Sequence, residues 1–122
     1  MSAPFLEKVL RLKQKGWRRR HSRHRADFPL KATALGESGY LQLQGRCSDI
    51  GHGGMGTVLT EEVPQGEVLS LEFQLPTTSE QLAVRAIVRY RKGFMHGLEF
   101  LGLTSEQQSA IDGFCLDLET VG

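Results

Sequence analysis

The sequence predicts a mostly β chain in which six short antiparallel strands close into a barrel, with a short amphipathic helix ahead of it and a C-terminal helix closing one mouth. Three observations carry this expectation. From Pro29 onward apolar and polar residues alternate, and turn chemistry arrives about every ten residues. Helical periodicity is confined to the two ends of the chain. Finally, 122 residues with 39% hydrophobic content suit one small core rather than two.

In chain order, Phe5, Leu6, Val9, Leu10 and Leu12 fall at helical intervals among Glu7, Lys8, Arg11 and Lys13, and Gly16 ends the run, so residues 1–16 are expected to hold an amphipathic helix. Residues 17–28 form a basic arm. Residues 29–122 form the barrel and its helix: "PLKATAL", "YLQLQGRCSDI", "MGTVLT", "EVLSLEFQL", "QLAVRAIVRYR" and "FMHGLEFLGL" read as strands, separated by "GESG", "GHGG", "EEVPQG", "PTTSE" and "KG". In the fifth strand Leu82, Val84, Ala86, Val88 and Tyr90 share one face, with Arg85, Arg89 and Arg91 on the other. Tyr40, Phe73, Tyr90, Phe94 and Phe100 alternate with polar neighbours and are expected in the core. Such a small sheet leaves edges exposed unless it closes on itself. At the end, Thr104 and Gln107 form a capping box, and Ile111, Phe114, Cys115 and Leu118 make the apolar stripe of a helix.

A net charge of +1 conceals segregation: residues 1–31 carry ten basic side chains against Glu7 and Asp27, whereas residues 32–122 carry five basic against twelve acidic. A basic arm precedes an acidic body. Either the arm is a solvated leash or it grips an anion. No run approaches 18 apolar residues and the N-terminus lacks an uninterrupted apolar core, so a soluble cytoplasmic protein is expected. One three-turn helix containing an acidic residue argues against membrane binding. Cys47 and Cys115 lack C-x-x-C spacing and read as buried thiols. Catalysis is not expected: no G-x-S-x-G elbow occurs, and the nearest His–acid neighbours, Asp49 and His52, have no nucleophile beside them. His21 and His24 stand among arginines whose charge repels a metal ion; no metal and no cofactor are expected.

Two stretches carry chemistry. "RRRHSRHR" places five arginines and two histidines between Arg18 and Arg25. "SDIGHGGMG" places Gly51, Gly53, Gly54 and Gly56 beside Asp49. Glycines let a backbone approach another surface without a Cβ in the way. A carboxylate there can accept N–H donors from a guanine edge, while arginines supply bidentate forks to phosphate or to guanine acceptors. A glycine-rich hairpin with no ligand satisfies the same pattern.

Together the two stretches resemble the PilZ family, receptors for the bacterial second messenger cyclic di-GMP, marked by an R-x-x-x-R arm and a [DN]-x-S-x-x-G turn. Arg19-x-x-x-Arg23 matches the first, and Asp49-Ile50-Gly51-His52-Gly53-Gly54 matches the second except that Gly51 replaces the serine. The tail "HGLEFLGLTSEQQSAIDGF" is similar to the family's last strand and closing helix. The resemblance implies a cyclic di-GMP site in which Arg19 and Arg23 clamp the ligand, Asp49 accepts from guanine and Gly54 allows close approach, with Arg18, Arg20 and Arg25 adding charge. It also implies an output through arm ordering and a protein effector. Loss of one hydroxyl partner at Gly51 should weaken binding by about 0.5–1.5 kcal/mol rather than abolish it. Two alternatives stay open: a nucleotide-free adaptor acting by protein contacts, and a small RNA- or single-strand-binding barrel. The latter needs exposed aromatics on a strand face, and the acidic body argues against it.

Overall fold

Among the described residues, alternation and turn chemistry produce β1 (Arg23–Gly36), β2 (Gly39–Gly51), β3 (Gly54–Leu59), β4 (Val68–Gln74), β5 (Gln81–Lys92) and β6 (Met95–Leu101), followed by the helix α1 (Ser105–Val121). The structure, a computed structural model, describes residues 22–36 and 39–121. The helix expected over residues 1–16 lies outside them, as do Arg18, Arg19 and Arg20.

The strands close as β1-β2-β3-β6-β5-β4, with antiparallel pairing throughout. Closure is made by β1 on β4, from Leu30↔Phe73 to Ala34↔Leu69, which satisfies the ladder groups two open edges would leave to water. β1 begins at Arg23, ahead of Pro29, so Arg23 and Arg25 stand on a barrel strand rather than on a free arm.

Period-two burial fills the interior. Leu69, Leu71 and Phe73 of β4 and Leu82, Val84, Ala86 and Val88 of β5 point inward. Each large side chain so buried contributes roughly 1.5–3 kcal/mol. Phe28 joins wall to lid: its ring lies 5.5 Å from that of Phe73 and 5.9 Å, edge-on, from that of Phe114. The capping box starts α1, with the Thr104 N–H donating to Gln107 Oε1 at 3.0 Å and the Gln107 N–H to Thr104 Oγ1 at 3.1 Å. Ile111, Phe114 and Cys115 are buried beneath the helix, with Leu118 packed at the rim.

Three aromatics expected in the core are outside it. Tyr40 is 79%, Phe94 53% and Tyr90 37% exposed, whereas Phe73 and Phe100 are core. A register shift between Val88 and Tyr90 breaks the inward series of β5 and lays the Tyr90 ring over Gly97, where a Cβ would come within 2.1 Å of it. Phe94 follows Gly93, whose φ of +60° makes the β5–β6 turn. Tyr40 sits at the tip of the β1–β2 hairpin.

His96 is the one large polar side chain fully inside among the described residues. Its Nδ1–H donates to the Phe94 carbonyl at 2.9 Å, and Nε2 accepts the Val63 N–H at 2.9 Å, so both ring nitrogens are used in the neutral form. Burial is the largest effect on the ring and holds its pKa below the ordinary value.

A candidate ligand recess where β1, β2 and β3 meet

Two bulges shape the start of the barrel. Between Cys47 and Asp49 the β2–β3 register skips a residue, so Cys47 and Ile50 both point inward while Asp49 is turned onto the outer face. Between Arg25 and Phe28 the β1–β2 register shifts as well, which lets Arg23 pair with Gly51 while Phe28 enters the core. The strands thereby carry Arg23 and Asp49 onto one surface. Arg23 Nη1 donates to Asp49 Oδ1 at 2.8 Å, the arginine side chain being 7% and the aspartate 29% exposed.

Beneath this pair the outer face of β3 is bare. Gly54 and Gly56 share that face, two residues apart, and their missing side chains make the space the pair occupies. A Cβ on Gly56 would lie 2.5 Å from Asp49 Oδ2, and one on Gly54 would lie 3.2 Å from Arg23 Nη2 and 2.0 Å from the Leu98 carbonyl oxygen. Gly54 is therefore required by packing against β6 as well as by the arginine. Gly51, where the resemblance noted from sequence expects a serine, has a similar constraint: its Cβ would be 2.5 Å from the Ser22 carbonyl oxygen. The chain entering β1 takes the room a serine side chain would need.

A groove of about 1160 Å³ continues from Asp49 across β1, β2 and β3, lined among others by Arg25, Asp27, Arg46, Ser48 and Thr60. Arg46 Nε donates to Asp27 Oδ1 at 2.7 Å on its wall, with both side chains mostly in water. Ser48 Oγ is buried there with no hydrogen-bond partner among the described residues, which costs stability unless another group or water supplies one. The neighbouring Cys47 thiol is pushed up to about 12, by burial first and by the Asp49 charge second, and stays protonated.

The turn between β2 and β3 is tied to the helix. His52 Nδ1 and Asp112 Oδ1 are 2.8 Å apart, and Gln108 Nε2 donates to the His52 carbonyl and to Asp112 Oδ1, each at 3.0 Å. The consistent assignment puts the proton on His52 Nδ1, facing Asp112. The acid next to His52 is thus Asp112, sixty positions on, and not Asp49 as the sequence suggests. Spacing of four places Gln108 and Asp112 on one face of α1.

Of the residues singled out from sequence, Arg23, Asp49, Gly51 and Gly54 come together; Arg18, Arg19 and Arg20 lie outside the described residues. Arg25 lines the adjoining groove. Gly56 was visible only as a fourth glycine, and nothing local marked Gln108, Asp112 or Arg46 as neighbours of the site. Among the described residues no group of three His, Cys, Asp or Glu side chains could hold a metal, and no helix is long and apolar enough to cross a membrane.

Among solved structures the chain is similar to the Bacillus subtilis inhibitor of motility MotI/DgrA, at 22% identity and a TM-score of 0.70, over 86% of this chain and 53% of that one. It therefore spans about half the length of that protein. It is also similar to the PilZ domain of YcgR from Escherichia coli, solved with c-di-GMP, at 19% identity and a TM-score of 0.67 over 86% and 94% of the two chains. A third likeness is to the PilZ domain of CeSA from a cellulose-synthesizing bacterium, at 13% identity and a TM-score of 0.59 over 82% and 97%. At these identities the likenesses show the fold. No curated protein matches the chain. The model of the PilZ domain family matches residues 18–117, from the arginine run through the barrel to α1, and on that match the chain belongs to the PilZ family.

Proposed function

We propose that this chain is a receptor for cyclic di-GMP and works by binding rather than by catalysis. One observation carries the reading: an arginine and a carboxylate, mostly withdrawn from water, face each other over two glycines at the mouth of a groove. Guanine presents acceptors at O6 and N7, which suit an arginine fork, and N–H donors on its other edge, which suit Asp49. The phosphates are dianionic in total. Their natural partners are the remaining donors of Arg23 together with Arg19, Arg18 and Arg20 of the adjoining basic run.

The bound ligand neutralises the repulsion among these arginines and orders the segment ahead of β1 against the barrel. That segment, or the surface it exposes, then engages a protein effector in the cytoplasm. One of the similar structures, MotI/DgrA, is by name an inhibitor of motility. A second reading has support from two features: Asp49 already has a partner in Arg23, and Gly51 supplies no hydroxyl, which suits an adaptor that binds no nucleotide.

Titration calorimetry separates the two. The receptor reading expects heat with cyclic di-GMP and none with GTP, cyclic GMP or a short RNA at tens of micromolar protein. Silence with cyclic di-GMP would sink it in favour of the adaptor, and heat with RNA alone would favour the nucleic-acid barrel.

A further inference from the structure

The barrel closes, yet one stretch of strand escapes closure. β3 is six residues long and pairs with β2 only from Gly45 to Ile50, whereas β2 continues outward to Gly39. Thr60 makes the last contacts between the two segments: its N–H donates to the Gln44 carbonyl at 3.0 Å, and Gln44 N–H donates to Thr60 Oγ1 at 3.3 Å. From there the chain turns away, with Glu62 on Arg91 at 3.0 Å and the Val63 N–H on His96. Among the described residues no strand covers the outer side of Gly39–Leu43.

The direction of the free groups follows from the ladder. Gln44 points both its N–H and its C=O toward the β3 side. In a strand this direction alternates, so Gln42 and Tyr40 point theirs the same way, into the uncovered side, while Gly39, Leu41 and Leu43 face β1. That agrees with the hairpin closing on Gly36↔Gly39. Toward the hairpin tip the side chains are exposed as well, Tyr40 at 79% and Leu41 at 44%, while Leu43 is buried in the core.

Natural sheets guard such edges with lysine, proline or a bulge. The stretch Gly39-Tyr40-Leu41-Gln42-Leu43-Gln44-Gly45 has none of these and no charge at all, unlike β4 with Glu72 or β5 with Arg85, Arg89 and Arg91. The sequence is also complementary to itself when reversed. Centred on Leu41, an antiparallel copy sets Tyr40 opposite Gln42, Gln42 opposite Tyr40, and Gly39 opposite Leu43. Tyr40 and Gln42 then form the hydrogen-bonded pairs, exchanging four N–H···O=C bonds across a two-fold axis, and the two Leu41 side chains meet at the close, non-hydrogen-bonded position. A like edge with no charge is the partner this edge fits without repulsion or desolvated ions.

We propose that the Gly39–Leu43 edge of β2 pairs with the same edge of a second copy of this chain, joining two barrels through one continuous sheet. A five-residue strand pair is smaller than a standard stable interface, so the dimer is weak and concentration-dependent.

Sedimentation of the 122-residue chain from about 10 µM to about 1 mM tests this, with circular dichroism as a control for folding. The wild type is expected to shift from monomer to dimer across that range. Leu41→Lys and Leu41→Glu each place like charges opposite one another and should weaken self-association about tenfold or more, while their equimolar mixture should dimerise again. Gln42→Pro removes an outward N–H that no described residue of the monomer accepts and should also leave a monomer. A wild type that stays monomeric throughout overturns the proposal, as does a Leu41→Lys chain that dimerises normally or a charge-swapped mixture that does not recover. Dimerisation that survives all three variants would place the interface elsewhere.

Discussion

Gly56→Ala separates the work of the recess from the work of the fold. The new Cβ would lie 2.5 Å from Asp49 Oδ2 and 3.1 Å from its Cγ, inside any real contact distance, so one of the two must move. The carboxylate is the soft partner, since it is the end of a side chain and 29% exposed. It swings off Gly56 and off Arg23. Losing a charge-assisted hydrogen bond costs about 1.5–3 kcal/mol, offset by about 0.5 kcal/mol from the lower chain entropy of alanine in the unfolded state. The net destabilisation is about 1–2.5 kcal/mol, and ligand affinity should fall roughly ten- to hundredfold because Asp49 no longer faces the recess. Gly54→Ala behaves differently. Its Cβ would lie 2.0 Å from the backbone carbonyl of Leu98, and a strand cannot rotate away. Separating β3 from β6 there should cost more than about 3 kcal/mol. Thermal unfolding and calorimetric titration on both variants give the comparison. If Gly54→Ala proved as mild as Gly56→Ala, or Gly56→Ala bound like the wild type, the glycine floor would not have the role assigned to it.

Three further outcomes follow from the same geometry. Gly51→Ser restores the family's residue but places its Cβ 2.5 Å from the Ser22 carbonyl oxygen, so affinity should stay level or fall; a severalfold gain by calorimetry would refute this. Gln108→Ala frees the His52 carbonyl and is expected to raise amide exchange through Gly51–Gly54 severalfold and to weaken ligand binding about three- to tenfold, with Tm lowered by only a few degrees. His96 is neutral in the fold with its pKa below the ordinary 6.5, while the unfolded chain takes up a proton below that value. Its contribution to stability is present above about pH 6.5 and is lost as pH falls below it toward the folded pKa; denaturant unfolding between about pH 5 and 7.5 should show the decline, flattened in His96→Gln.

Strands, turns and the capping box were legible because each is a local pattern with a local cause. Alternation marked Leu69 to Phe73 and Leu82 to Val88, and Thr104 with Gln107 marked the start of α1. Bulges left no such mark. The shift after Val88 carried Tyr90 outside, and the shift after Cys47 put Asp49 on the outer surface, since register is settled between strands and not within one. The entry to β1 was missed for a related reason: Arg23 and Arg25 carry no β propensity, and it is pairing with Gly51 and Asp49 that makes them strand. The acid beside His52 lay sixty positions downstream and could be found only by folding the chain. Conversely, Gly51 reads from sequence as a lost hydroxyl, whereas in the fold it is the residue that lets Ser22 pass.

In the proposed receptor, Arg23 and Asp49, set over Gly54 and Gly56, form the cyclic di-GMP site. Titration of cyclic di-GMP into the wild type and into Arg23→Ala tests it most directly. The wild type is expected to bind with a measurable affinity that falls roughly ten- to hundredfold in the variant, with the barrel still folded. Equal affinity in the two proteins would contradict it.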